Sequence, residues 1–290
     1  MKKLFTIIIA IILICGTLTS CDSKENSNKN NSEGVSTPTI VYTEEQLQAL
    51  GKVMVCGDYV GFAVDKKTQK NEVALAAGSI TFVDEDLNFA ALGHVPTNPI
   101  SSQNKKIYDL KITSEGVNGI DAEYTKKTFA NLDEHFSTVD GLFGRLNEFV
   151  YDTSREMEFG IPVQHEKAQL FLVRPENKSG WYDIYIEAVF VDSGTQQRDF
   201  IFSFTDEKLP SNYDEYTMEG RSGSPIIQHG KLVGAYSGTT GYFKQNTVES
   251  ATYHRANFAA DMQFLVLRKY DPSFNDEIFR DVPTLKDYFD

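Results

Sequence analysis

Residues 219–238 read E-G-R-S-G-S-P-I-I-Q-H-G-K-L-V-G-A-Y-S-G, and the fold is read outward from them. The stretch opens with Gly220-Arg221-Ser222-Gly223-Ser224-Pro225 and continues through the apolar pair Ile226-Ile227. It then turns at Gln228-His229-Gly230 and returns through Leu232-Val233. This pattern predicts a serine on a glycine-bracketed turn that leads into a tight β-hairpin. A serine hydroxyl is a poor nucleophile, so an enzyme that uses one presents it on a constrained turn beside a base. The same turn must aim backbone N–H groups at the oxyanion that forms on attack. Ser-Gly-Ser-Pro is also ordinary surface-turn chemistry, because Gly and Ser enter turns easily and Pro fixes φ. What separates the two readings is whether the chain supplies the other groups such a serine needs.

The N-terminus reads as an export signal. Lys2 and Lys3 precede an almost unbroken apolar run, Leu4 to Cys15, which is short for a membrane span. The run leads to Leu18-Thr19-Ser20-Cys21, which resembles the lipobox of bacterial lipoproteins. In that motif the chain is cut before the cysteine, whose thiol carries a diacylglycerol. The expectation is a signal peptide over residues 1–20 and lipidation at Cys21, the alternative being an ordinary signal with a chance cysteine. Asp22 to Thr39 is rich in Asn, Ser and Lys and buries too little to fold, so residues 21–40 read as a flexible tether. Residues 41–290 remain for the folded domain.

Composition narrows the partners. With 41 acidic residues against 28 Lys and Arg, the formal net charge is −13, and it becomes −15 once Lys2 and Lys3 leave with the signal. Such a surface argues against nucleic acid and against electrostatic binding to anionic lipid, so the membrane link is the lipid itself. Of the three cysteines only Cys56 belongs to the folded domain, so no intrachain disulfide is available there. Its apolar setting, Val53-Met54-Val55-Cys56-Gly57, predicts a buried structural thiol rather than a nucleophile.

After the tether the chain reads mostly β. Thr43 with Gln46 fits a capping box for a short helix within Tyr42–Leu50. Strands are expected over Lys52–Cys56, Tyr59–Val64, Ala74–Val83, Asn88–Leu92, Lys106–Thr113, Ala168–Val173, Trp181–Val191 and Phe200–Phe204. Phe258, Met262 and Leu265 recur at helical spacing and predict a helix over Phe258–Tyr270. Many short strands separated by turns point to an all-β barrel or sandwich.

A serine nucleophile needs a base, and histidine is the usual one because it titrates near neutrality. Of the five histidines, His94 follows a strand and a glycine and precedes a Pro-containing loop, where side chains reach clefts. His229 falls at the hairpin tip, His135 and His165 in polar loops, and His254 in a stretch that does not recommend it. A third group must orient the imidazole. Asp206, after the strand Phe200–Phe204, and Asp140, in Val139-Asp140-Gly141, are both placed at turns, and the residues alone do not choose between them.

Three blocks in order carry a resemblance. They are Ala90-Ala91-Leu92-Gly93-His94, Thr205-Asp206-Glu207-Lys208-Leu209, and Gly220 through Ala235. Together they resemble the stage IV sporulation protein B type of serine peptidase, within the chymotrypsin-like clan whose serine motif is G-x-S-G-[SG]-P. Thr138 to Leu146 is similar to that family's middle segment around G-I-F-G-x-L. The resemblance implies an all-β, chymotrypsin-like double β-barrel, here with a short C-terminal helix. It implies a His94–Asp206–Ser222 triad, an oxyanion hole from the N–H groups of Gly220 and Ser222, and no cofactor or metal. Ala235, Tyr236 and Ser237 are expected as an exposed edge that pairs with substrate backbone. The chain departs from the family in lacking room for a PDZ domain over Asp58–Lys70 and in placing Val95 after the histidine. It also carries Arg221 where methionine is expected, which would put a charge near the pocket.

The function expected is therefore an extracytoplasmic, lipid-anchored serine endopeptidase acting on a protein or peptide, such as a membrane-bound or secreted regulator. A catalytically inactive peptide-binding lipoprotein on the same fold is the rival. A β-sandwich glycan-binding lipoprotein fits the composition but leaves the hairpin motif unexplained.

Overall fold

The computed structural model describes residues 43–65, 73–92, 106–116, 119–133, 137, 141–191, 198–209, 220–245 and 251–261. All of them lie in the compact unit Thr39–Asp290. That unit opens with a short helix, α1 (Glu44–Ala49), whose capping box is formed as the sequence predicts. Thr43 Oγ1 accepts the Gln46 N–H at 3.3 Å, and the Thr43 N–H donates to Gln46 Oε1 at 2.9 Å.

The first strands are β1 (Lys52–Val55), β2 (Tyr59–Asp65), β3 (Val73–Val83), β4 (Asn88–Leu92), β5 (Lys106–Gly116), β6 (Gly119–Leu132), β7 (Gly141–Leu146) and β8 (Glu156–Glu158). They form one antiparallel sheet in the order β2-β5-β6-β7-β4-β3-β1-β8, and a further β2–β3 pairing closes the strands from β2 to β3 into a ring. The remaining strands are β9 (Glu166–Leu172), β10 (Gly180–Val191), β11 (Arg198–Phe204), β12 (Pro225–Gln228), β13 (Lys231–Gln245) and β14 (Ala251–Asp261). They close into a second barrel, β10-β11-β14-β13-β12-β9. The described residues are thus nearly all β and close into two barrels, the all-β double β-barrel expected from the sequence.

Side-chain alternation explains why the decisive hairpin is apolar without interruption. Ile226 of β12 and Val233 of β13 pack inside the second barrel with Leu170, Ile184 and Phe200. Their neighbours Ile227 and Leu232 point the other way, into a cluster with Val55, Phe82, Phe143 and Phe159 of the preceding chain. Both faces of the hairpin are therefore covered, and a doubly covered strand reads as a continuous apolar run. Met54, Ile80, Phe89, Ala91 and Leu142 fill the first barrel. Cys56 is part of that filling, as its sequence setting predicts. Burial and then the nearby Asp58 charge push its thiol well above the usual value.

The first residues of one expected helix are strand instead. Phe258 to Asp261 belong to β14, where Phe258 pairs with Ile201 of β11 and with Gly238 of β13. The helical spacing of apolar residues is real, but two flanking strands offer the backbone its hydrogen bonds, and tertiary pairing overrides a local period. Residues 262–270 of the expected helix lie outside the described residues.

Candidate active site

The turn carrying Ser222 is gripped from both barrels. From β3, the Ser79 N–H donates to Ser222 O at 2.7 Å and Thr81 Oγ1 donates to Gly223 O at 2.8 Å. From β13, the Gly223 N–H donates to Tyr236 O at 2.7 Å, and the Tyr236 N–H donates to Ser224 O at 2.9 Å. Within the turn the Ser224 N–H donates to Arg221 O at 3.0 Å. Gly220 and Gly223 have φ of +87° and +95°, left-handed values that side-chain-bearing residues rarely adopt. Both glycines that the sequence sets around Ser222 are therefore required by the backbone.

Ser222 is only 6% exposed, and its Oγ donates to Ser237 O at 3.0 Å. Among the described residues no acceptor takes the N–H of Gly220 or of Ser222. These are the two donors expected to meet an oxyanion. An uncommitted pair of amides on a rigid turn, beside a serine hydroxyl, is the arrangement that acyl transfer uses.

His94 and Asp140 lie outside the described residues. Asp206 is described, and its carboxylate is held by backbone groups of the second barrel. Its Oδ2 accepts the Asp183 N–H at 3.0 Å and its Oδ1 accepts the Lys208 N–H at 2.8 Å, with Lys208 Nζ 3.7 Å away. Desolvation pushes this carboxyl up, but the Lys208 and Asp183 N–H groups and the Lys208 ammonium outweigh it, leaving the pKa below the ordinary value. Asp206 thus caps the turn that follows β11, and His94, the group a triad acid would orient, lies outside the described residues. A shallow cavity of about 220 Å³ is lined by Lys167, Gln169, Asp183, Gln228 and His229.

Two further expectations are corrected. Ala235 pairs with Pro225 on one side and Ala260 on the other, and Tyr236, bonded to Gly223 and Ser224, pairs with Ala259. Their edges are occupied, so neither can take a substrate strand. Ser237 sits at the register shift that follows, and from Gly238 to Gln245 β13 pairs with β14 alone among the named strands. The charge of Arg221, expected near the pocket, is turned inward. Its side chain is 0% exposed, its Nε donates to Val173 O at 3.4 Å, and its Nη2 pairs with Glu115 Oε1. Ser79, Thr81 and Glu115 had no signal in the sequence, since each acts on the turn from a strand far away in the chain. Among the described residues no group of three or more His, Cys, Asp or Glu stands close enough to hold a metal ion.

Comparison with known proteins bears on the whole arrangement. The family described as SpoIVB peptidase S55 matches residues 68–243, more than half of the chain, with His94, Asp140, Asp206 and Ser222 all inside. No curated protein matches. Among solved structures, the apo MamO protease domain from Magnetospirillum magneticum is similar at 14% identity and TM-score 0.36, over 75% of this chain and 98% of that one. The active form of the Rv3671c protease from M. tuberculosis is similar at 11% identity and TM-score 0.39, over 85% and 94%. The HtrA-type protease AlgW with tripeptide is similar at 11% identity and TM-score 0.40, over 75% of this chain and 62% of that one. At such values the solved structures say nothing about this site, and kinship rests on the family match.

Proposed function

We propose that Ser222 is the nucleophile and His94 the base of this serine peptidase, a chain that belongs to the SpoIVB peptidase S55 family. Membership makes it a hydrolase of protein or peptide bonds. The observation that carries the residue assignment is the Ser222 turn, locked by β3 and β13 with the Gly220 and Ser222 N–H groups uncommitted.

In this reading Ser222 Oγ leaves Ser237 O and attacks the scissile carbonyl carbon while His94 takes its proton. The carbonyl oxygen becomes an oxyanion, received by the N–H groups of Gly220 and Ser222. Collapse expels the amine, which carries the proton back from His94. Water then attacks the acyl-enzyme, again with His94 as base, and releases the acid and Ser222.

The acid that orients His94 is read as Asp140. β4 and β7 run antiparallel with Leu92 opposite Gly141. Asp140 immediately precedes Gly141 and His94 follows Leu92 by two residues. The reading rests on this adjacency in the chain to the paired residues Leu92 and Gly141. Substrate backbone is read as adding to β13 from Gly238 onward, where the side away from β14 carries no named strand among those described.

The lipobox-like Leu18-Thr19-Ser20-Cys21 and the polar tether support an extracytoplasmic, lipid-anchored enzyme whose substrate is a membrane-bound or secreted protein. Cys21→Ser is expected to move the protein from the membrane fraction to the soluble one, and unchanged fractionation would count against the anchor. For the chemistry, Ser222→Ala is expected to lower peptide hydrolysis by about 10⁶-fold with the fold intact. Hydrolysis retained in that variant would refute the reading. Peptide held without turnover by the wild type would favour the inactive binding lipoprotein.

A further inference from the structure

Arg221 lies between the two residues whose amides are read as the oxyanion donors, and it is the largest fully buried side chain among the described residues. A guanidinium keeps its charge at any working pH, and a buried charge is tolerated only when paired. Its partner is Glu115 of β5, from the other barrel. Glu115 stands at the tip of the β5–β6 hairpin, where it pairs with Ile120 just before Gly116 meets Gly119. The same carboxylate accepts Arg174 Nε at 3.1 Å and 2.9 Å, and Arg174 Nη2 stands 2.8 Å from it. Arg174 is held in turn by Tyr182, whose hydroxyl accepts its Nη1 at 3.1 Å and whose ring lies 5.4 Å from its Cζ. Tyr59 also feels the Arg221 charge, which opposes the burial that pushes its phenol up to about 12.

This arrangement constrains the turn in a specific way. Gly220 and Gly223 permit many backbone conformations, so the glycines alone do not choose the one that presents two amides together. Rotation of the peptide units flanking Arg221 would pull its guanidinium away from the Glu115 carboxylate, and separating a buried ion pair is costly. We propose that Glu115 is a positioning residue that fixes the oxyanion-donating turn by holding the guanidinium of Arg221. The first barrel thereby contributes to oxyanion geometry through a hairpin tip that touches no reacting atom. The inference rests on Ser222 and its turn being the reaction centre. It explains why this chain carries an arginine there, since Arg221 and Glu115 form one device.

The test uses the full-length protein and three variants, Glu115→Gln, Arg221→Met and the double variant. Glu115→Gln keeps shape and removes charge, and Arg221→Met removes the need for a counter-charge. Amide hydrogen exchange of residues 220–224 reads the turn whether or not the protein is active, with the β9–β11 amides as an internal check on folding. In Glu115→Gln, exchange at the turn is expected to rise at least tenfold with the β9–β11 amides unchanged. In parallel kcat is expected to fall about 10²-fold, the scale of a small misplacement of catalytic groups, with KM within about twofold. In the Arg221→Met background the Glu115→Gln change is expected to alter neither reading by more than about twofold, a non-additivity that marks direct coupling. Turn exchange in Glu115→Gln that matches wild type, or the same effect with and without Arg221, overturns the proposal. Wild type that neither cleaves peptide nor labels at Ser222 while its turn loosens in Glu115→Gln refutes the catalytic reading and leaves the positioning role standing.

Discussion

At the scale of single residues, the two candidate acids differ in what the described chain places beside them. Each carboxylate oxygen of Asp206 accepts a backbone N–H of its own barrel, a capping role. Asp140 adjoins the one described strand pair that also leads to His94. Asp140→Asn is therefore expected to lower kcat by about 10⁴-fold with KM little changed, the scale for losing the group that holds the imidazole tautomer. Asp206→Asn is expected to leave kcat within about threefold and to cost about 1–2 kcal/mol of stability, as lost caps do. Because the folded pKa of Asp206 is depressed, its contribution is full above the ordinary value of 3.8 and is lost as pH falls below it. The wild type should thus lose more stability than Asp206→Asn between about pH 4 and pH 2, measured by denaturant titration at each pH. Equal acid sensitivity of the two proteins would contradict the capping role. The sequence could show Ser222 because its glycines are adjacent in the chain and their backbone need is local. It could not show Glu115, whose arginine partners lie 59 and 106 residues away. Nor could spacing tell a turn-capping aspartate from a triad acid, since Asp206 and Asp140 are both aspartates placed beside a strand end.

At the scale of elements, alternation and turn chemistry carried most strands, and pairing context decided the rest. The helix start at Thr43 and the hairpin tip were legible because each is a contiguous motif. At that tip His229 and Gly230 take φ of +51° and +73°. β14 was not legible, because its apolar spacing also fits a helix and only β11 and β13 settle its backbone. β6 was missed because a ribbon paired on its neighbours can carry Lys and Thr without a clear apolar period. Gly144 in β7 shows what a close strand contact demands: a Cβ there would lie 2.1 Å from the carbonyl oxygen of Asn131 and 2.7 Å from the Phe89 ring. Gly144→Ala is expected to destabilise the protein by about 1–3 kcal/mol, the range for overpacking a filled site. At Gly180, where a Cβ would meet nothing within 4 Å, the same change is expected to stay within about 0.5 kcal/mol. Equal melting temperatures for the two variants would show that β7 yields to a methyl group.

At the scale of the molecule, the site belongs to neither barrel alone. The Ser222 turn is contributed by the second barrel, while Ser79, Thr81 and Glu115 of the first hold it in place. The shared apolar cluster of Val55, Phe82, Phe143, Ile227 and Leu232 lies where the two barrels meet. The central claim is that Ser222 is an activated nucleophile with His94 as its base. The most direct measurement is to treat the folded full-length protein with a fluorophosphonate probe and map the adduct by mass spectrometry. The account predicts one adduct, on Ser222, absent in Ser222→Ala and lost in His94→Ala with the fold intact. An unlabelled wild type, or labelling of Ser222 that persists without His94, would contradict it.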